Sequence, residues 1–214
     1  MQLNAEFVTS LEQVDAAEWE RLCGTDYPFL RYDFLLGLEQ SGCTTAESGW
    51  QPCHLILRDG ETAVAALPLY LKSHSYGEYV FDWSWSQAWQ QSGLQYYPKL
   101  VSAIPFTPAT GPRLCHSDDL SSEQAWDMAT RALEQFARQQ EISSWHLLFP
   151  DQSTSDALLA EGFHQRRATQ FHWFNEGYRD FDHFLAGFSS RKRKSLKRER
   201  RRIQEQNLVL QTLV

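Results

Sequence analysis

The side chains of this 214-residue chain best suited to acid–base chemistry are a few carboxylates, tyrosines and one histidine set among aromatic residues. In the stretch YGEYVFDWSW, Glu78 and Asp82 stand among Tyr79, Phe81, Trp83 and Trp85. A carboxylate against aromatic walls holds its proton more tightly than in water and can take one from an attacking amine. The bland alternative is a packed aromatic layer with two solvent-facing acids, because one carboxylate in such a setting is only a hint of function. Tyr96, Tyr97 and Lys99 follow. A tyrosine hydroxyl can protonate a leaving thiolate or alkoxide, and a lysine can hold a phosphate or carboxylate. The competing reading is a pair of half-buried strand tyrosines.

Two further clusters complete the candidates. Thr107, Thr110, Gly111 and Arg113 lie on the proline-stiffened stretch TPATGPR. There Arg113 suits bidentate pairing with a carboxylate or phosphate, or else an ordinary surface ion pair. In TQFHWF, Gln170, His172 and Trp173 lie on one strand pattern, with Gln170 and His172 on the same face. His172 is then either a base that titrates near neutrality or a hydrogen-bonded structural histidine. The expected catalytic set is Asp82, Glu78 and His172. The expected substrate contacts are Tyr79, Trp83, Tyr96, Tyr97, Lys99, Thr107, Thr110, Arg113, Gln170 and Trp173. The seven histidines show no HxH, HExxH or His/Cys spacing, so no metal is expected.

The elements that must position these residues alternate between helix and strand. Helical patterns run over 11–23, 29–41, 121–140 (capped by Ser121 or Ser122), 156–161, 180–186 and 189–206. Strand patterns run over 51–58 and 62–72, joined by the turn signal Asp59–Gly60, and again over 99–106, 144–149, 169–174 and 208–214. Pro68 inside the second of these predicts a bulge or an edge. Residues 79–85 read as a strand or an extended loop, and 107–113 as a loop. The order predicts a mixed α/β (α+β) fold with helices flanking a central sheet.

Composition bounds the rest. An apolar share of 42% with 14% aromatics is enough for a packed core and argues against disorder. No apolar run approaches the ~20 residues that span a bilayer, and the N-terminus does not read as a secretory signal. The expectation is a soluble cytoplasmic protein whose Cys23, Cys43, Cys53 and Cys115 are reduced. Residues 191–202 hold nine of the twenty lysines and arginines, whereas residues 1–190 hold eleven against 25 acidic residues, a net −14. A cation-dense helix on an acidic chain calls for an anionic partner: the chain's own acids, a nucleotide-linked precursor, or RNA. Arg191, Lys192, Arg193, Lys194 and Arg198 are its candidate anion or RNA contacts.

Several blocks carry a family resemblance: PFLRYDFLLGLEQSGC, ALPLYLKSHSYGEYVFDWSW, YYPKLVSAIPFTPATGPRL, LFPD, QFHW and SSRKRKSLKRERR. From Pro28 to the C-terminus, in this order, they resemble the FemAB-like family. It is described as a peptidoglycan biosynthesis or recognition family and sits in the GNAT acyltransferase superfamily. The resemblance implies two tandem GNAT-like lobes joined through a helix. On that reading residues 1–178 are the first lobe, 179–206 the linking helices, and 207–214 the first strand of a truncated second lobe.

A GNAT donor site cradles a pyrophosphate on backbone N–H groups of a glycine-rich turn at a helix N-terminus. Here TPATGPRLCHSDDLSSEQ offers one glycine, a proline that lacks an N–H, and the repelling Asp118 and Asp119. No cofactor is therefore expected on this lobe. The resemblance implies acyl-CoA or aminoacyl-tRNA as donor for the full-length protein, and a muropeptide or small-molecule amine as acceptor. Partners expected with it are the second lobe and tRNA, with no DNA and no membrane insertion. The chain alone is expected to be inactive. The alternatives are a recognition module for a cell-wall precursor that performs no chemistry, and an RNA-binding protein acting through the basic helix.

Overall fold

One long hairpin organises the first part of the chain, and a proline divides it. The computed structural model describes residues 3–169, 171–206 and 211. The chain falls into two compact units, Met1–Gln165 and Arg166–Val214. In the first, the order is β1 (Leu3–Val8), α1 (Ala16–Cys23), α2 (Tyr32–Gln40), β2 (Trp50–Pro52), β3 (His54–Asp59), β4 (Thr62–Leu67), β5 (Tyr70–Lys72), α3 (Trp83–Gln91), β6 (Lys99–Ser102), β7 (Cys115–His116), α4 (Ser122–Gln139), β8 (Trp145–Leu147) and α5 (Gln152–Ala160).

β3 and β4 pair antiparallel across the expected turn, where Gly60 takes φ 60°. β2 and β5 continue the same two arms and pair with each other. Between them the arms are interrupted at Cys53 and at Pro68–Leu69, and the Cys53 N–H donates to the Leu69 carbonyl at 2.9 Å across the gap. Pro68 has no N–H to give a ladder, so the break falls where the sequence placed a bulge. Each half of the hairpin recruits its own neighbours. One sheet has the order β1-β3-β4-β7, all antiparallel. The other has the order β2-β5-β6-β8, whose last pair is parallel. A parallel pair needs a long crossover, and α4 is contained in it. The expected mixed α/β architecture holds, with the central sheet realised as two four-stranded sheets that share one hairpin.

β3 shows why this works. Its residues His54–Leu57 are all buried, because both of its faces are covered. Ile56 packs with Trp19, Leu22, Leu30 and Leu35 of the α1–α2 side. Leu55 and Leu57, one residue off in a period-two strand, pack with Trp126, Ala129 and Leu133 of α4. α4 starts at the expected Ser121, which forms a reciprocal capping box with Gln124. His54 is fully buried but satisfied: its Nδ1 accepts from the Leu69 N–H at 3.1 Å and its Nε2 meets Glu39 at 3.0 Å.

Several expected elements are corrected. The helix of 11–23 starts only at Ala16, because Asp15 caps it by accepting from the Glu18 N–H; Leu11–Gln13 is a separate 3₁₀ turn. Residues 83–91 are the helix α3, not a strand, since the Tyr79–Trp85 alternation stops where the chain turns at Asp82. The 99–106 strand ends at Ser102, and β7 is an element the sequence pattern did not suggest. α5 begins at Gln152 rather than 156, capped by Asp151.

In the second unit, α6 (Phe181–Ala186) and α7 (Ser190–Glu205) form where helices were expected, α6 capped by Asp180. The described residues of 169–174 have no regular secondary structure. The expected strand 208–214 lies outside the described residues apart from Gln211. No helix among the described residues is long and apolar enough to cross a membrane.

The cysteines depart from expectation most clearly. Cys23, at the end of α1, is disulfide-bonded to Cys115 of β7 across a sequence separation of 92, whereas Cys43 and Cys53 are free. Pairing of β7 with β4 is what brings Cys115 to α1, and no local pattern announces it. Burial pushes the Cys53 thiol up to about 11. Native-state alkylation is therefore expected to label Cys43 alone, denaturation to add Cys53, and reduction to add the remaining two thiols. Reductant is expected to lower stability by about 2–5 kcal/mol in denaturant titrations. Four alkylatable thiols before reduction contradict the bridge.

Candidate functional site

A row of three side chains crosses the second sheet. Trp50 of β2 stands opposite Lys72 of β5, and Lys72 stands opposite Lys99 of β6. All three are fully buried. Two lysines directly opposite each other on adjacent strands repel, and burying either charge without partners costs several kcal/mol. The segment between the two lysines supplies the compensation, since Glu78 and Asp82 fold back onto Lys99 and the Tyr76 carbonyl meets Lys72.

The geometry around Lys99 is saturated. Its ammonium donates to Ser75 Oγ at 3.0 Å, Glu78 Oε2 at 2.9 Å and Asp82 Oδ2 at 2.6 Å, one acceptor for each N–H. The Tyr96 hydroxyl donates to the same Asp82 Oδ2 at 2.7 Å, and the Tyr97 and Ser75 hydroxyls share a hydrogen bond of 2.7 Å. Lys72 is held differently. Its Nζ lies 3.6 Å from the centroid of the Trp50 ring and donates to the Tyr76 carbonyl at 3.2 Å. Gly77, at φ 80°, lets the segment pass close over Trp50 and Phe106, where a Cβ would fall 2.7 Å from the Phe106 ring. Asp82 sits at the N-cap of α3 but spends its carboxylate on Lys99 and Tyr96 rather than on the helix.

The two carboxylates are driven apart. Burial raises the Asp82 carboxyl, but hydrogen bonds from Lys99, Tyr96 and Ser75 outweigh it and hold the group below its ordinary value. For Glu78 burial wins over the attraction of Lys99, Asp82 adds repulsion, and the group lies above its ordinary value. Burial, reinforced by Lys99 and opposed by Glu78, pushes Lys72 down to about 7. The Trp50 ring face and the Tyr76 carbonyl favour its charged form. Glu78 Oε1 and Asp82 Oδ1 are buried and have no hydrogen-bond partner among the described residues. Paired titratable groups whose environments separate their proton affinities are the usual arrangement of an acid and a base. A concavity of about 180 Å³ adjoins the cluster, lined by Ser86, Gln90, Leu94, Gln95, Tyr96 and Tyr97. The two tyrosines belong to both: they line the concavity, and their hydroxyls enter the ionic cluster.

The candidates from the sequence separate into groups. Glu78, Asp82, Tyr96, Tyr97 and Lys99 come together here. Tyr79, at φ 57°, and Trp83, at the start of α3, are exposed on the same segment. Thr107 turns its hydroxyl to the Pro105 carbonyl, and Thr110 is exposed. Arg113 is corrected: it is buried, and its guanidinium donates to the Ala109, Gly111, Pro112 and Leu148 carbonyls, so it folds the loop instead of facing an anion. His172 and Trp173 lie in the second unit on exposed chain without regular structure, and Gln170 lies outside the described residues. Arg191, Lys192, Arg193, Lys194 and Arg198 lie on α7, none of whose residues is buried. Arg193 donates to the Phe188 carbonyl, and Lys197 pairs with Asp182 at 2.9 Å. The sequence reading missed Lys72, Ser75 and Trp50. One signal was available for Lys72: in a period-two strand it shares a face with the buried Tyr70.

The FemAB-like family model, described as peptidoglycan biosynthesis/recognition, matches residues 10–214. The chain belongs to the FemAB-like family. No curated protein matches this FemAB-like chain significantly. Among solved structures it is similar to the aminoglycoside antibiotic 6'-N-acetyltransferase AAC(6')-Ih of Acinetobacter baumannii, at 17% identity and TM-score 0.46 over 82% of this chain and 99% of that one. It is also similar to AAC(6')-IG of Acinetobacter haemolyticus, at 15% identity and TM-score 0.45 over 80% and 98%. A third is the ribosomal-protein-alanine N-acetyltransferase of Brucella melitensis biovar Abortus 2308, at 12% identity and TM-score 0.45 over 82% and 99%. Likeness at this level carries no inference about substrate.

The opposite shifts of the two carboxylates give opposite expectations. Asp82, depressed in the fold, contributes stability present above its unfolded value and lost as pH falls through its folded one. Glu78, raised in the fold, costs stability as pH climbs through its ordinary range toward its folded value. At pH 7, Asp82→Asn is therefore expected to destabilise more than Glu78→Gln, by about 1–3 kcal/mol in urea titrations. The gap should shrink on acidification. Lys99→Met, which strands both carboxylates, is expected to cost about 3–5 kcal/mol, with part of the loss recovered at acid pH. Equal effects of Asp82→Asn and Glu78→Gln at every pH contradict this account.

Proposed function

We propose that this chain forms the acceptor side of an acyltransferase that joins an acyl or aminoacyl group to an amine of a peptidoglycan-type precursor. Family membership supports the class. The observation that carries the reading is the pair of buried carboxylates around Lys99, held at different proton affinities beside a concavity that shares Tyr96 and Tyr97 with them.

In such a reaction the acceptor nitrogen forms a bond to the acyl carbon, and the bond from that carbon to its leaving group breaks. The nitrogen must shed a proton, and the leaving group must gain one. Glu78 is suited to receive the first: its proton affinity is raised and its Oε1 is uncommitted. Asp82 stays ionised and holds Lys99 and the Tyr96 hydroxyl in place. Both carboxylates are buried, so an acceptor amine reaches Oε1 only if the segment that carries Glu78 shifts.

The loop around Gly111 does not fit a donor's pyrophosphate. The Gly111 N–H donates to the Phe149 carbonyl at 3.2 Å, a Cβ there would lie 2.6 Å from the Tyr27 ring, and Pro112 has no N–H. This supports a donor held elsewhere than on this loop, whether an acyl-CoA or an aminoacyl-tRNA. A second reading, recognition of the precursor without chemistry, is favoured by the same sealing of the two carboxylates.

Activity separates the two. Full-length protein assayed with acyl-CoA and aminoacyl-tRNA donors and a nucleotide-linked muropeptide is expected to form an amide. Glu78→Gln is expected to lower kcat by about 10²–10⁴-fold with little change in KM. Muropeptide binding with no amide formation from either donor establishes the second reading. Full activity in Glu78→Gln removes Glu78 from the chemistry.

A further inference from the structure

Between Ser75 and Pro98 the only charged residues are Glu78 and Asp82, and both are buried. In a chain with 22% charged residues, this whole segment therefore shows solvent no charge, only aromatic rings, hydroxyls and amides. Tyr76, Phe81, Trp83 and Trp85 are 70%, 71%, 58% and 54% exposed. α3, WSWSQAWQQ, has no buried residue. At helical spacing Trp83, Ser86 and Gln90 share one face (i, i+3, i+7), and Ser86 and Gln90 line the concavity beside Tyr96 and Tyr97. Trp83 heads that row, tilted against Phe81 at 5.5 Å.

This surface restricts its occupant. Nucleic acid or an anionic lipid surface needs cations, and the segment has none to offer. A wholly apolar occupant would leave the serine hydroxyls and glutamine amides of the concavity without partners. What matches flat aromatic faces interleaved with uncharged hydrogen-bonding groups is a molecule with apolar C–H faces and a rim of hydroxyls, which is a neutral sugar.

We propose that the Trp83 face of α3 and the adjoining concavity bind a neutral pyranose ring. Trp83 stacks on the C–H face of the sugar, and Ser86, Gln90 and Gln95 bond to its hydroxyls. This deepens the reading above, in that the shared Tyr96 and Tyr97 place the sugar next to the ionic cluster and make the acceptor a glycan-bearing one.

The test is direct binding to the intact chain, by tryptophan fluorescence and saturation-transfer NMR. The probes are cellotetraose, tetra-N-acetylchitotetraose, and heparin tetrasaccharide as an anionic counterpart. At least one neutral tetrasaccharide is expected to bind with Kd of about 1 mM or tighter, and heparin tetrasaccharide not to bind. Trp83→Ala and Gln90→Ala should each weaken binding about tenfold, as loss of one good contact does. Both positions lie on exposed helix surface, and a circular dichroism melt confirms the fold. Glu78→Gln should retain binding. The proposal is overturned if neither neutral sugar saturates, if Trp83→Ala binds as well as the parent, or if Trp83→Ala instead dissociates a dimer seen by light scattering. Loss of sugar binding in Glu78→Gln overturns it too. Activity that depends on Glu78 without any sugar binding sinks this inference alone. Sugar binding with a fully active Glu78→Gln sinks the chemical role of Glu78 alone.

Discussion

Two lysines opposite each other in the interior of one sheet are the constraint around which the rest of the site is arranged. Lys72 and Lys99 are cross-strand partners, and neither reaches water. An interior of low dielectric tolerates such a pair only when carboxylates and fixed dipoles stand close to it. Glu78, Asp82, Ser75 and the Tyr76 carbonyl meet that demand, and all four come from the segment that joins the two lysines. Electrostatic compensation therefore folds the segment back on its own ends. This fixes Asp82 at the start of α3 and leaves the aromatic residues on the outside.

The broken hairpin determines where that arrangement can exist. Without the interruption at Pro68, β4 and β5 would run as one strand in one sheet. The Tyr70–Lys72 stretch would then not pair with β6 while β4 pairs with β7. Splitting the arms lets the first sheet bury its apolar residues between helices on both faces, and gives the second sheet the row of Trp50, Lys72 and Lys99. Stability and polarity are thus divided between the two halves of one hairpin. The fully used guanidinium of Arg113 has a parallel role on the neighbouring loop. It satisfies three carbonyls that a proline-rich turn leaves without partners of its own, and the Leu148 carbonyl beside them.

Much of the chain could be read from its residues. The hairpin, its turn and its proline break, the capped helix α4, the two helices of the second unit and the mixed α/β class follow from local patterns. Such patterns depend on near neighbours: turn residues, capping residues and periods of two or 3.6. Glu78, Asp82, Tyr96, Tyr97 and Lys99 were likewise recognisable as polar residues amid aromatics, and the FemAB-like blocks identified the family. The Cys23–Cys115 bridge, β7 and the burial of Arg113 were not recognisable, because each depends on residues far apart in the chain or on which side of a loop faces inward. The helix α3 was missed for a different reason. Its first tryptophans alternate with serines, and a period-two pattern hides the helix that an uncharged segment without a buried residue can still form.

What the sequence determined by itself is the inventory and the local geometry: which side chains can carry charge or protons, where strands turn, and where helices begin. What only the tertiary structure decided is which charges face each other. The register that sets Lys72 against Lys99, and the chain reversal that brings Glu78 and Asp82 onto Lys99, depend on contacts between residues far apart in the chain. Pair energies in a buried site depend on distance and desolvation, and neither is written in a linear order of residues.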